Sequence, residues 1–247
     1  MKFFPEPVVN KTHVIELYAE KDKYDSEQFK HEIISGTDAG TLLTAIYEQD
    51  VRFVYVSDPA KMKSIVAEAK KRNYTQSIIN LYEPVDVENF FSPRINNGDT
   101  ILINAQFDSD NDLVAGYEAE DLIALLLEDL ELENKKLANL DMDTCMLGRV
   151  KSYRDELRNK LNNFQRIITY TELCSVSPNG PRRIWIRETE DEEFIFYNEN
   201  QLDKEKIRII EHTTAYVTEL KKAWAVNPDN PEEIDLSDYI DFSISNG

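Results

Sequence analysis

Cysteine, glycine and long apolar runs are scarce in this chain of 247 residues. The two cysteines, Cys145 and Cys174, cannot build a disulfide framework or a zinc site with four thiolate ligands. No stretch approaches the roughly 18 consecutive apolar residues that a membrane-spanning helix needs. The first residues also lack the apolar segment of a secretion signal. We therefore expect a soluble protein with no membrane partner, located in the cytoplasm, or in the host cytoplasm if the protein is viral.

The short motifs that most often carry enzymatic chemistry are missing as well. The chain contains no glycine-rich phosphate loop, no dinucleotide-binding fingerprint and no nucleophile elbow. Its three histidines, His13, His31 and His212, fall in three different predicted elements. We therefore predict no catalytic residue and no cofactor, and we interpret the two cysteines as buried, unreactive thiols.

Basic residues are absent from two long segments. The chain has 47 acidic and 28 basic residues, which gives a formal charge of −19. Residues 95–134 contain eleven Asp or Glu and no Lys or Arg, and residues 223–247 contain six acids and again no base. Such segregated charge creates a local negative potential that attracts basic proteins and repels nucleic acid. Improved solubility alone is the competing interpretation of the same charge.

The first half of the chain alternates between strand and helix patterns. Helical spacing predicts short helices that begin near Asp25 and near Asp38, and Asp58 followed by Pro59 predicts the start of a third. Runs of β-branched and aromatic residues predict strands at 12–18, 51–57, 77–82 and 100–107. The strand, helix and strand between 51 and 82 form a βαβ unit. We therefore predict an α/β fold, or an α+β fold, with a mainly parallel central sheet.

The second half predicts a different organisation. Apolar residues at three- and four-residue spacing predict two long helices, at about 117–138 and 144–170, which a short linker folds into an antiparallel helical hairpin. A β-hairpin at 183–197, a last helix from Asp203 to about Trp224 and an acidic tail follow. The expected units are an α/β domain at 1–112, the helical hairpin at 113–174, the β-hairpin and helix at 175–226, and a flexible tail at 227–247.

Carboxylates at the predicted ends of the strands suggest a metal site. Asp108, Asp110 and Asp112 alternate along one loop and offer oxygen ligands to a hard cation such as Mg²⁺ or Mn²⁺. Because ligands bind at the carboxyl ends of parallel strands, Asp58 and either Glu83 or Asp86 are expected near the same crevice. The competing interpretation is structural, since Asp58, Asp110 and Asp112 are each placed to cap a helix. The metal site defines the hypothesis of a divalent-metal-dependent enzyme acting on phosphate esters or nucleotides.

The acidic helix predicted after residue 117 supplies the leading hypothesis. On a helical projection, one of its faces mixes leucines with carboxylates. Apolar anchors inside a negative field are expected of a surface that binds a basic protein or imitates nucleic acid. The competing interpretation is a helix buried on two sides. The residues of the predicted partner-binding face are Glu118, Asp121, Leu122, Leu125, Asp129, Leu132 and Glu133.

These patterns favour a protein that is not an enzyme. We predict an acidic interaction protein, of the inhibitor, immunity or viral accessory type, that engages a basic protein partner and does not bind nucleic acid through its acidic region. The metal-dependent enzyme is one alternative. A structural subunit of a larger assembly, with the helical hairpin as the contact between identical copies, is the other.

Overall fold

The structure, a computed structural model, describes residues 10–20, 26–72 and 74–170 and four later strands, at 173–175, 183–186, 195–198 and 207–211. Of the sequence-based predictions, His212, most of the last helix and the acidic tail at 227–247 lie outside the described residues. Within the described residues, no helix combines the length and the apolar character that crossing a membrane requires.

Twelve strands and five α-helices are described. In chain order they are β1 (Thr12–Leu17), α1 (Ser26–Ile46), β2 (Val51–Tyr55), α2 (Pro59–Lys71), β3 (Ser77–Asn80), α3 (Pro84–Asp86), β4 (Thr100–Ala105), β5 (Phe107–Asp108), β6 (Leu113–Val114), α4 (Ala119–Ala124), β7 (Leu137–Asp143), α5 (Lys151–Lys160), β8 (Phe164–Tyr170), β9 (Leu173–Ser175), β10 (Arg183–Ile186), β11 (Ile195–Asn198) and β12 (Ile207–Glu211). One π-helical turn, Val87–Phe91, extends α3, and another, Leu125–Asp129, extends α4.

A seven-stranded sheet organises the fold, with its strands in the order β12-β8-β7-β4-β1-β2-β3. The six strands from β8 to β3 run parallel, and only β12 pairs antiparallel, along β8. The chain builds outward from β1 to β3, returns to the middle, and then builds outward in the other direction from β4 to β8. This is the doubly wound strand order, and it confirms the predicted α/β fold with a mainly parallel sheet.

Successive side chains of the central strands point to opposite faces of the sheet, so each face has its own helices. Ile15 and Phe53 belong to the larger core cluster, which also takes its apolar residues from α4, α5 and the turn after α3. On the other face, Val54 packs with residues of α1 and α2 in a smaller cluster. The result is three layers, with a sheet that is buried on both faces.

Local sequence signals predict the start of α2 correctly but not the length of α1. Asp58 is the N-cap of α2, where its side chain accepts a hydrogen bond of 2.7 Å from Ala60 N, and Pro59 occupies the first turn as predicted. The two short helices predicted after β1 are wrong, because α1 is one helix of 21 residues. A Cβ at Gly36 would crowd the ring of Tyr18, and one at Gly40 would overlap the carboxylate of Glu16. These glycines allow α1 to lie close to β1 rather than interrupting the helix.

The predicted helical hairpin is also wrong. Residues 137–143 form β7 and residues 164–170 form β8, and α5 between them has only ten residues. β7 pairs in parallel with the free edge of β4, where Leu140 to Asp143 are buried on both faces. A short apolar segment fits a buried strand as well as a helix, and the open sheet edge decides between them. The structural-subunit hypothesis thereby loses the helical arm on which it rested.

The later strands correct one further prediction. β10 and β11 pair antiparallel, with Arg183 opposite Asn198. Residues 207–211, expected in the last helix, form β12 instead and pair with β8 from Tyr170 to Arg166. The segment Ile207 to Ile210 is rich in isoleucine, which suits a strand at least as well as a helix.

Two buried ion pairs and a third buried pair, a histidine hydrogen-bonded to an aspartate, tie the elements together. Glu16 of β1 accepts two hydrogen bonds from Arg52 of β2, and both side chains are almost fully buried. Lys61 of α2 pairs with Glu32 of α1 and also donates to Ala19 O at the end of β1. Arg52 also donates to Thr37 O and Thr41 Oγ1 of α1, so the two pairs together hold α1 and α2 against the sheet.

The third pair lies at the opposite edge of the sheet. His13 Nε2 lies 2.9 Å from Asp99 Oδ2, which joins the first residues of β1 to the turn before β4. Burial holds the pKa of His13 below 6.5, although the neighbouring Asp99 opposes that shift. Burial raises the pKa of Asp99, but hydrogen bonds from Lys11 N, Asn96 N and His13 outweigh it, so the net pKa of Asp99 is lowered.

Candidate binding clefts at the carboxyl edge of the sheet

The strand order changes direction between β1 and β4, and this point marks the usual ligand position of a doubly wound sheet. Loops that leave neighbouring strands in opposite directions separate there and leave a crevice beyond the carboxyl ends of the strands. Two clefts of the described structure lie at this edge. One lies on the α1 face of the sheet and the other on the α4 face.

The cleft on the α1 face has a volume of about 410 Å³. Its walls come from the first half of α1 and from the chain that leaves β4. Burial raises the pKa of Glu32 in this cleft, although the ion pair with Lys61 opposes the shift. The carboxylate of Glu32 is therefore committed to holding α1, α2 and β1 together. The lining residues are Gln28, His31, Glu32, Gln106, Phe107, Asp108 and Ser109.

Asp108 closes a turn in the structure. Its Oδ1 accepts hydrogen bonds from Asp110 N at 3.0 Å and Asn111 N at 3.3 Å, and its Oδ2 accepts one from Asn111 Nδ2 at 2.9 Å. Asp112 adopts a left-handed backbone conformation, with φ of 54°, as the chain turns into β6. Among the residues that the structure describes, no three His, Cys, Asp or Glu side chains are grouped so that they could hold a metal ion. Metal binding by Asp108, Asp110 and Asp112 therefore stays a hypothesis that belongs to the alternative function, the metal-dependent enzyme.

The cleft on the α4 face is smaller, with a volume of about 280 Å³. We call it the tyrosine-carboxylate cleft, because two tyrosines and three acids contribute to its walls. Glu20 follows β1, Tyr55 ends β2, Tyr117 precedes α4, and two aspartates come from α4 and its π-helical turn. The complete lining is Glu20, Tyr55, Ala115, Gly116, Tyr117, Asp121, Ala124, Leu125 and Asp129.

A tight turn fixes the position of Tyr117. Ala115 and Gly116 both have positive φ, 47° and 78°, and a glycine meets this requirement at little cost. Val114 and Tyr117 exchange two backbone hydrogen bonds, of 3.1 and 2.9 Å. Tyr153 of α5 donates a further hydrogen bond of 3.1 Å to Tyr117 O. The turn is therefore held on both sides before any ligand arrives.

The helical segment from α4 to Asp129 corrects the predicted partner-binding face. Leu122, Leu125 and Leu132 are buried in the larger core, with exposed fractions of 0–3%. They cannot serve as exposed apolar anchors, because they already anchor the segment to the sheet. The four carboxylates of the same prediction are exposed. They are Glu118, Asp121, Asp129 and Glu133, and we call them the acidic surface.

The carboxylates of the tyrosine-carboxylate cleft contribute to raised pKa values of its two tyrosines. Tyr55 donates a hydrogen bond of 2.8 Å to Asp129 Oδ2, and its pKa is raised by burial and by this contact. Burial raises the pKa of Tyr117 to about 12, and Glu20, Asp129 and Asp121 add to the shift. Within the described residues, none of these three carboxylates lies within ion-pair distance of a lysine or an arginine. The cleft is therefore negative and has no described internal cation.

Only part of this cleft is predictable from the acidic helical pattern. The pattern selects Asp121, Leu125 and Asp129, but not Glu20, Tyr55 and Tyr117. The missed signal was available, since Tyr55 and Glu20 are polar residues at the ends of two predicted parallel strands. Asp58, Glu83 and Asp86, which the same rule selected, line neither cleft.

The reactive side chains considered from sequence lie apart from one another. His31 is exposed and lines the cleft on the α1 face, whereas His13 is buried at the opposite edge of the sheet. Cys145 is half-buried in the loop after β7, and Cys174 lies in β9, whose side chains are outside the described set.

No known family model matches this chain, and no curated protein sequence is significantly similar to it.

Proposed function

We propose that this protein is a non-enzymatic interaction protein that binds a basic protein partner through the acidic surface. The observation that carries the proposal is the exposure of four carboxylates in and beside one helical segment, within a stretch of the chain that has no lysine or arginine. Asp121 and Asp129 lie in the segment, Glu118 is its N-cap, and Glu133 lies in the turn that follows it. The expected role is that of an inhibitor, an immunity factor or a viral accessory protein. We place it in the cytoplasm, or in the host cytoplasm if the protein is viral.

The leucines are buried and so cannot be the exposed apolar anchors that were predicted, but their burial still supports the proposal. Leu122, Leu125 and Leu132 fix the helical segment against the sheet. The backbone that carries the exposed carboxylates is therefore fixed before binding, and less conformational entropy is lost than if a partner had to order the backbone as well. A fixed negative field also accelerates encounter with a positively charged protein.

The same field disfavours nucleic acid as the partner. Phosphate groups meet the exposed carboxylates of the acidic surface, which lie in a segment, 95–134, without lysine or arginine, and nucleic-acid binding depends on neutralising phosphates with lysine and arginine. A basic protein gains from the charge that a nucleic acid must overcome. The sign of the surface therefore selects the class of partner.

The test compares two variants that lose the same number of charges. Proteins captured from the source cells by the immobilised full-length chain are identified and purified, and their association rates are measured between low and high salt. We expect the first variant, in which the acidic surface is replaced, to associate markedly more slowly at low salt, and the second to keep the wild-type rate. The first variant carries Glu118→Gln, Asp121→Asn, Asp129→Asn and Glu133→Gln. The control carries Glu48→Gln, Glu83→Gln, Asp86→Asn and Glu88→Gln.

The salt dependence decides the outcome. A wild-type association rate that falls as salt increases, together with a slow first variant and an unchanged control, supports the proposal. A rate that salt does not change contradicts it. Equal effects of the two variants also contradict it, because they would show a response to net charge and not to this surface.

A further inference from the structure

We infer that the tyrosine-carboxylate cleft is the subsite that receives an arginine side chain of the basic partner. This inference rests on the proposed function and adds the specificity that an exposed acidic surface lacks. The cleft adjoins that surface, because Asp121 and Asp129 belong to both. A partner that approaches the acidic surface therefore meets the cleft at the same time.

The dimensions of the cleft suit one side chain. Its volume of about 280 Å³ lies just below the roughly 300–1,000 Å³ that small-molecule sites occupy. Glu20 and Tyr55 form the wall at the strand ends, and Asp121 and Asp129 form the wall on the helical segment. An extended side chain inserted between these walls contacts both.

The aromatic walls favour a cation with a flat face. Tyr55 and Tyr117 both line the cleft, and the ring of Tyr82 packs edge-on against Tyr55 at a centroid distance of 5.7 Å. This contact and the hydrogen bond to Asp129 hold Tyr55 in place. Guanidinium groups stack on aromatic rings and are more weakly hydrated than ammonium groups, so they lose less on entering such a site.

The carboxylates provide acceptors at separate points. The hydroxyl of Tyr55 occupies Asp129 Oδ2 and leaves Asp129 Oδ1 for another donor. Asp121 and Asp129 line the same cleft, so carboxylate oxygens from two positions of the helical segment face it. A guanidinium has five N–H donors in one plane and can contact more than one carboxylate oxygen, whereas an ammonium is a compact point charge. The arrangement of acceptors therefore favours arginine over lysine.

The experiment measures a preference between peptides of equal charge. Three labelled peptides of the same length carry three arginines, three lysines or three neutral citrullines in a glycine-serine background, and their binding to the full-length protein is measured by fluorescence anisotropy near physiological salt. We expect the arginine peptide to bind about tenfold more tightly than the lysine peptide, because stacking on the rings adds to charge pairing. The citrulline peptide should bind more weakly than either.

Three substitutions locate the preference in the cleft. Tyr117→Leu removes a ring without changing the charge, and it should reduce the arginine preference to about twofold or less, whereas Tyr117→Phe retains the ring and should retain the preference. Glu128→Gln removes an exposed charge beside Asp129 that does not line the cleft, and it should weaken both basic peptides equally. Thermal unfolding of each variant shows that it is folded before its binding is compared.

The outcomes separate this inference from the proposed function. Equal affinities for the arginine and lysine peptides in the wild type overturn the inference, as does a preference that survives Tyr117→Leu in a folded protein. If Tyr117→Leu unfolds the chain, a preference that is lost in Tyr117→Phe overturns the inference instead. A variant with only Glu118→Gln and Glu133→Gln, two residues that do not line the cleft, tests the proposed function separately: it should slow association of the captured partner at low salt whether or not the cleft prefers arginine.

Discussion

The buried pair of Glu16 and Arg52 provides the sharpest test of the fold, through the substitution Arg52→Met. Arg52 donates two hydrogen bonds to Glu16, one of 3.0 Å to Thr41 Oγ1 and one of 2.9 Å to Thr37 O. Methionine fills a similar volume but leaves the Glu16 carboxylate buried beneath α1 with only the hydroxyl of Tyr18 as a described donor. The burial of Glu16 is complete, so water cannot replace the lost partner.

Removing one member of a buried ion pair typically costs about 3–5 kcal/mol, because the remaining charge is uncompensated. We therefore expect Arg52→Met to lower the free energy of unfolding by about 3–5 kcal/mol. Replacing both members with apolar residues of similar volume is often neutral or stabilising. The double variant Glu16→Leu with Arg52→Met should consequently recover at least about 2 kcal/mol relative to Arg52→Met alone.

Urea unfolding at pH 7 measures these free energies for the wild type, both single variants and the double variant, which together form a double-mutant cycle. A loss of less than about 1 kcal/mol in Arg52→Met would show that the carboxylate is not buried, since a surface pair contributes that little. A double variant that loses the sum of the two single losses would show that the two side chains do not interact in the folded protein.

Three further predictions follow from other parts of the structure. Millimolar Mg²⁺ or Mn²⁺ should leave the melting temperature unchanged, because the Asp108 carboxylate already accepts hydrogen bonds within its own turn. If the metal raises the melting temperature and the double variant Asp108→Asn with Asp110→Asn abolishes that rise, the result would support the metal-dependent enzyme. The wild type should lose stability as the pH falls below 6.5, because His13 binds a proton more readily in the unfolded chain than in the fold, where burial lowers its pKa. Unfolding titrations should show a smaller loss for His13→Gln, and an identical loss in both proteins would contradict this assignment. Crosslinking in physiological salt should attach no DNA or RNA to residues 95–134, and a crosslink there would contradict the repulsion argument.

The segments that the sequence predicted well are those whose structure depends on nearby residues. Asp58 and Pro59 start α2 because capping and a fixed φ act within one helical turn. β4 was predicted from its own run of β-branched and apolar residues, Thr100 to Ala105. Two segments were predicted wrongly. Residues 164–170 have apolar spacing that fits a helix as well as a strand, and most of 137–143 was expected to be the linker of the helical hairpin. Both form strands because of pairing with segments that are distant in the chain.

The candidate site divides in the same way. The excess of acids and the exposure of Glu118 and Asp121 follow from residues that lie close together in one charged segment. The burial of Leu122, Leu125 and Leu132 does not follow from nearby residues, because a helical projection shows which residues share a face but not which face packs against the sheet. Their burial became evident only when α4 was seen to pack against the central strands.

Amino-acid sequence alone determined the sign and position of the charge, the α/β character of the chain and the boundaries set by local caps, because each depends on residues within a few positions of one another. Tertiary structure decided that Glu16 meets Arg52 and that Tyr55 meets Asp129, which are 36 and 74 residues apart. Strand order and register bring such residues together, and both are properties of the whole sheet, since each strand takes the edge that its predecessors leave open.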